Sequence, residues 1–270
     1  MLLTAVTVLT VSCKKIPGTQ ESFFPDSLIL HISASRGYSQ ADIFLFEDTL
    51  TRPCIFHAKT GAKAFVSIPA QKTDCIAVAL ANVPGNLDEN AFPSFGSISS
   101  ASMEYKDDNP DSPLMSGAAW CNGSATTEIK LSPLLCEIII KAIKGSGTVL
   151  LSDASIWLED INNDCPLLQM DGFYPSRTVL SPEQLRYPQM MVQAVPFDIG
   201  DREQDADIHL YCYPDESPYS PAKICLGATA GTDYIVYTAN LPPLGRGAIL
   251  EAAMELDANE KMSLTRKGFQ

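Results

Sequence analysis

Ser27-Leu-Ile-Leu-His-Ile-Ser33 decides how this chain is read. Its apolar residues alternate, so Leu28, Leu30 and Ile32 fall on one face of an extended strand. A strand with one apolar face has to bury that face against another layer. The segment stops at Arg36, and Gly37 to Gln40 make a turn. Ala41-Asp-Ile-Phe-Leu-Phe-Glu47 follows as a second strand, with Ile43 and Leu45 on one face and Phe44 and Phe46 on the other. Cys54 to His57 is a short run after Pro53, and Ala62 to Ile68 alternates again. Asp74-Cys-Ile-Ala-Val-Ala-Leu-Ala-Asn82 is continuously apolar and reads as a central strand buried on both faces.

Pro84 to Pro113 is polar and irregular, with one or two helical turns expected near Ser97 to Tyr105. Thr126 to Leu131 is a strand that Ser132-Pro133 breaks, and we place a boundary there, between domains 26–132 and 133–270. The second half repeats the pattern with Leu134 to Ile143, then Val149 to Ile161, where Ile156 and Leu158 flank Trp157. Ser176 to Gly200 has no clear period. Ala206 to Tyr213, Ala222 to Gly227, Asp233 to Ala239 and Gly247 to Asp257 complete the strands. Strands follow turns with no alternation of strand and helix, so the class is all-β. The 19 prolines and 16 glycines punctuate short apolar runs, as in a β-sandwich.

Upstream, Met1 to Ser12 carries no charge. It falls short of the ~20 apolar residues that span a bilayer but fits the apolar core of a signal peptide. Thr10-Val-Ser-Cys13 resembles the lipobox of bacterial lipoproteins, with Thr10 in place of the usual Leu and Cys13 as the residue to be lipidated. The alternative is an ordinary signal peptide with an incidental Cys13. Residues 13–25 are a polar, aperiodic tether between lipid and domain. One acyl chain holds a membrane weakly, whereas the three of a bacterial lipoprotein hold it stably.

The net charge of −13 excludes the basic footprint of a nucleic-acid-binding protein. Seven cysteines follow Cys13, an odd number, with no Cys-x-x-Cys pair, and His31, His57 and His209 are scattered. No zinc site is expected. Cys121 and Cys136, or Cys212 and Cys225, could face each other across neighbouring strands; the alternative is a set of small buried hydrophobes. Asp198, Asp201, Glu203, Asp205 and Asp207 lack the spacing of an EF-hand calcium loop. The chain contains no Gly-x-Ser-x-Gly, P-loop, dinucleotide fingerprint or His-Glu-x-x-His. We therefore expect neither catalysis nor a cofactor.

Four groups of segments, taken in order, carry a family resemblance. They are the leader with its early strand ending near Arg36, and Ile43 to Phe46 followed by Ile76 to Asn82. Pro113-Leu-Met-Ser-Gly117 then leads to Ile129 to Leu131 and Ile138 to Ile140, and His209 to Pro214 precedes Tyr234 to Tyr237 and Leu241-Pro-Pro-Leu-Gly-Arg246. Together they resemble the fimbrillin-like proteins of Bacteroidetes, the subunits of type V pili. The resemblance implies two transthyretin-like β-sandwich domains in tandem and export as a lipoprotein to the outer membrane. It also implies assembly into a fimbrium with other pilin subunits.

In that family a trypsin-like protease cuts after an Arg and removes the first strand, and a neighbour's strand refills the groove by β-augmentation. By that resemblance Arg36 is the cleavage candidate, and Leu28, Leu30 and Ile32 are the side chains whose pocket is vacated. Arg52 is the poorer candidate because Pro53 follows it. The alternative leaves Arg36 as a solvated turn residue and the strand in place. Two departures bear on position in the pilus. Pro133 stands where the family often has Arg, and Ala258 to Gln270 is short and polar for a donor strand. Both favour a tip, accessory or anchor subunit over a stalk subunit. A different function class is a surface lipoprotein that binds host or bacterial glycans or proteins. Its candidate aromatics are Trp120, Trp157, Tyr211 and Tyr213, although the pattern around Trp157 points to the core.

Overall fold

A computed structural model describes residues 27–69, 74–85, 87–88, 90–121, 126–169, 192–215 and 221–267. The leader, Cys13, the tether and most of 176–200 lie outside the described residues. The first half contains β1 (Ser27–Ala34), β2 (Gln40–Glu47), β3 (Cys54–Gly61), β4 (Phe65–Pro69), β5 (Cys75–Ala81), α1 (Phe95–Ser99), β6 (Ser102–Glu104), β7 (Met115–Cys121) and β8 (Thr126–Pro133). The second contains β9 (Cys136–Lys144), β10 (Leu151–Glu159), β11 (Asp164–Pro166), β12 (Val192–Ala194), β13 (Gln204–Cys212), β14 (Lys223–Ala230), β15 (Asp233–Asn240), β16 (Ile249–Leu256) and β17 (Met262–Arg266). The chain is thus almost entirely β. Among the described residues no helix is long and apolar enough to cross a membrane.

The first sheet runs β3-β2-β5-β7-β8-β1-β4. β7 and β8 pair only at Met115 with Pro133 and Ser116 with Ser132, so the sheet folds over there into two layers. Leu28, Leu30, Ile32, Ile129 and Leu131 from one layer pack on Ile43, Leu45, Ala77 and Ala79 from the other. All seven residues of β5 are buried, as its unbroken apolar sequence requires. β2 is also buried on both faces. Its Phe44 and Phe46 face away from that core and join Ile76, Val78, Leu80 and Ile98 in a larger core that continues into the second half. Ile98 is delivered by α1, which Ser94 starts through a capping box with Ser97.

The second half has one sheet ordered β12-β10-β14-β15 and another ordered β13-β9-β16-β17. The strand order repeats that of the first half, with β17 added. β1 lies between parallel β8 and antiparallel β4. In the same way β9 lies between parallel β16 and antiparallel β13. β6 and β11 pair across the halves.

Several elements depart from the sequence reading. The short β6, β11 and β12 were not expected. Ser132-Pro133 does not break β8, which runs on to Pro133 because Ser132 and Pro133 pair with Ser116 and Met115 of β7. β7 was not expected, because Met-Ser-Gly-Ala-Ala-Trp-Cys lacks a β-branched pattern. β17 was not expected either; only Met262 and Leu264 are apolar in it. β3 runs to Gly61 rather than His57, because its ladder to β2 continues through Gln40.

Candidate functional site

The site is built on β1. It is hydrogen-bonded on both sides, to β8 from Ile29 to Ala34 and to β4 from Ser27 to His31. Leu28, Leu30 and Ile32 are 5%, 0% and 3% exposed, so the strand seals the first core. His31, on the outer face, stacks on Phe65 at 4.7 Å. Without β1 the slot would present two unpaired strand edges and a floor that includes Ile43, Leu45, Ile129 and Leu131. Each buried Leu or Ile is worth roughly 1.5–3 kcal/mol, so the slot strongly favours a strand of matching pattern.

Behind β1 the chain leaves regular structure. Ala34, Ser35, Gly37, Ser39 and Gln40 are exposed. Tyr38 anchors this connector by donating its hydroxyl to the Lys63 carbonyl at 2.9 Å. Arg36 is half-buried and forms an ion pair with Glu137 at the start of β9. It is thus a turn residue that is partly solvated and ion-paired, and β1 is in place ahead of it. Glu137 also interacts with His209 Nδ1 at 2.8 Å and accepts the Tyr211 hydroxyl at 3.2 Å. Burial pushes the Glu137 carboxyl up, but the His209 bond and the Arg36 charge outweigh it and hold the group below its ordinary value. Tyr211 is pushed up to about 12 by its own burial and by the neighbouring Glu137 charge. Arg52, the other candidate, adopts a left-handed backbone with φ 44°. Its guanidinium lies over the rings of Phe95 and Trp120 at 5.5 and 5.6 Å.

A second polar cluster ties the halves together. Arg246 donates to Ser116 Oγ at 2.8 Å and to the Leu167 carbonyl at 3.0 Å. Asp108 accepts the backbone N–H groups of Asn109 and Leu114, both at 2.9 Å, and the Tyr213 hydroxyl at 3.4 Å. Burial pushes Asp108 up to about 6 despite those bonds and the Arg246 charge. Sequence reasoning missed Glu137, Asp108 and Arg246 as site residues. The signal for Glu137 was present: one carboxylate inside Leu134-Leu-Cys-Glu-Ile-Ile-Ile140.

The aromatic candidates do not form one row. Tyr213 is buried at 1% exposure, Tyr211 sits against Glu137, and Trp120 is 51% exposed beside Arg52. Trp157 is not a core residue. The alternation that buries Ile156 and Leu158 turns it outward, where its Nε1 donates to Glu159 at 2.9 Å. Tyr234, 63% exposed, joins it on that outer face. Both rings lie over Gly227, where an added Cβ would meet the Tyr234 hydroxyl at 2.0 Å and the Trp157 ring at 2.9 Å.

The cysteine pairings also need correction. Cys121 and Cys136 lie in different sheets, as do Cys212 and Cys225. The ladder instead sets Cys121 opposite Cys75 and Cys212 opposite Cys136. In the acidic run, Glu203 and Asp207 pair with Lys267 and Lys141, both at 2.8 Å.

No family model and no curated protein matches the chain in sequence. Solved structures do match in fold. A protein assigned to cell adhesion from Parabacteroides distasonis ATCC 8503 superposes with a TM-score of 0.68 at 9% identity, over 89% of this chain and 95% of its own. A fimbrilin from Porphyromonas gingivalis W83 gives 0.59 at 10% identity, over 89% and 95%. A fimbrial assembly protein from P. distasonis gives 0.56 at 8%, over 90% of this chain and 100% of its own. The chain therefore has the fold of fimbrillin-like structures of Bacteroidetes.

Proposed function

We propose that the chain is a structural or adhesive subunit of a type V pilus. It is exported as a lipoprotein through Cys13 to the outer membrane, cut after Arg36 by a trypsin-like protease, and joined to other pilin subunits by strand exchange. The observation that carries this reading is the place of β1. It is an inner strand whose apolar face seals a core, and a connector follows it that is exposed on either side of the half-buried Arg36. Loss of an inner strand creates a slot that only another strand fills. The repeated strand order supports a division into domains 26–132 and 133–270. β17 is already paired with β16 from Ala252 to Leu256, so donating it requires that ladder to open. This favours a tip, accessory or anchor position.

Trypsin treatment of the leaderless protein tests the reading, with intact mass and size exclusion as readouts. We expect one cut after Arg36, loss of the first strand and growth of oligomers. A resistant monomer that keeps β1 contradicts the polymerising form.

The half-buried Trp157 and the exposed Tyr234 over Gly227 favour a second reading, a surface lipoprotein that stacks sugar rings on this face. Glycan-array binding lost in Trp157→Ala supports it; absence of binding removes it.

A further inference from the structure

We propose that Cys75–Cys121 and Cys136–Cys212 are two cross-strand disulfides, and that the second locks β9 into its sheet while β1 stays exchangeable. The proposal rests on the export reading only for its oxidising compartment. Cys75 opens β5 directly opposite Cys121, which ends β7. Cys136 opens β9 directly opposite Cys212, which ends β13. Opposed residues of an antiparallel ladder have Cα atoms ~4.5–5.5 Å apart and project from the same face; a disulfide spans Cα separations of ~4.4–6.8 Å. All four cysteines are nearly inaccessible, at 1%, 4%, 0% and 1% exposure, and each faces its partner directly across the ladder. Within each pair the two thiols interact. The bond from its partner pulls Cys121, and likewise Cys136, toward the thiolate, while it pushes Cys75 and Cys212 up.

The other described cysteines have no such partner in the ladder. Cys54 faces Phe46, Cys165 faces Met103, and Cys225 faces Trp157 and Thr238. The odd count after Cys13 thus resolves into two pairs and three single thiols.

The chemistry is thiol–disulfide exchange during folding, before burial is complete. A protein thiolate attacks the disulfide of an exported oxidoreductase or of a low-molecular-weight donor. The partner cysteine then displaces the donor from the mixed disulfide. One S–S bond forms in the protein as one breaks in the donor, which leaves with both electrons and both protons as thiols.

The positions give the pairs different consequences. β9 occupies in the second half the place that β1 occupies in the first. Cys136–Cys212 would bond it covalently to its antiparallel neighbour β13. β1 contains no cysteine and neither does its antiparallel neighbour β4. Only the first sandwich would then be able to release its opening strand.

The test is thiol trapping under denaturing conditions followed by peptide mapping. It is applied to the full chain recovered from the exporting cell and to the same chain made in a reducing cytosol and then held in a glutathione redox buffer. The expected result is linked peptides 75–121 and 136–212, with Cys54, Cys165 and Cys225 alkylated, in both preparations. The linked form also melts about 10 °C above the dithiothreitol-reduced form. Links that form in buffer but not in the cell uphold the pairing and overturn the export reading. Alkylation of all seven cysteines in both preparations, or linkage between any other cysteines, overturns the proposal.

Discussion

Arg36 and Glu137 form an ion pair that joins the end of the first strand to the opening strand of the second half, 101 residues away. The guanidinium that a trypsin-like protease must seat in its specificity pocket is held by the protein itself. On the proposed reading, cleavage after Arg36 requires this pair to open.

Glu137→Gln weakens the hold while keeping the shape and an acceptor for His209 and Tyr211. A hydrogen bond to a charged group is worth ~1.5–3 kcal/mol, so we expect cleavage after Arg36 to quicken by about tenfold. Time courses by intact mass check this, with the urea-unfolded chains of both proteins cut at equal rates. Equal rates for the folded proteins would show that the pair does not gate the cut.

Leu30 is fully buried in the first core. Leu30→Ala should lower the stability of the uncut chain by roughly 2–5 kcal/mol, read from urea unfolding. After cutting and assembly the same substitution should have no effect, because β1 has left. A destabilised assembled form would mean that β1 is still in its slot.

Asp108 supplies a pH dependence. Its folded value of about 6 lies above the ordinary 3.8. Between those values the folded chain holds a proton that the unfolded chain has lost, so this group's contribution to stability falls as pH rises through that window. The gap corresponds to about 3 kcal/mol. Asp108→Asn should remove this slope and gain on wild type as pH climbs from ~4 to ~7. Parallel stability profiles for the two proteins would refute the assignment.

Gly117 marks where β7 and β8 approach closely; an added Cβ would lie 2.2 Å from the Lys130 carbonyl oxygen. Backbone cannot yield there as a flexible side chain would. Gly117→Ala should cost about 2–4 kcal/mol in denaturant unfolding. An unchanged midpoint would contradict the close approach.

The elements legible in the sequence are those whose burial is written locally. β1 alternates, β2 divides its apolar residues between two faces, and β5 is apolar throughout. β7 was illegible because its close approach to β8 depends on Gly117, a residue with no strand preference. Trp157 was misplaced for the opposite reason: in a strand, apolar flanks on both sides turn the central residue outward. Long-range pairs could not be read at all. Arg36 meets Glu137, and Cys75 meets Cys121, only through sheet order and register. A search by sequence proximity joins Cys121 to Cys136 instead.

The central claim is that β1 is a removable occupant of a slot made for a strand. A synthetic peptide of residues 27–36, added in excess during trypsin treatment, tests it most directly by size exclusion. We predict that this peptide occupies the vacated slot and keeps the cut protein monomeric, whereas the same peptide carrying Leu30→Asp leaves oligomers to form. Oligomers that grow equally with either peptide, or a cut protein that never assembles, would contradict strand exchange.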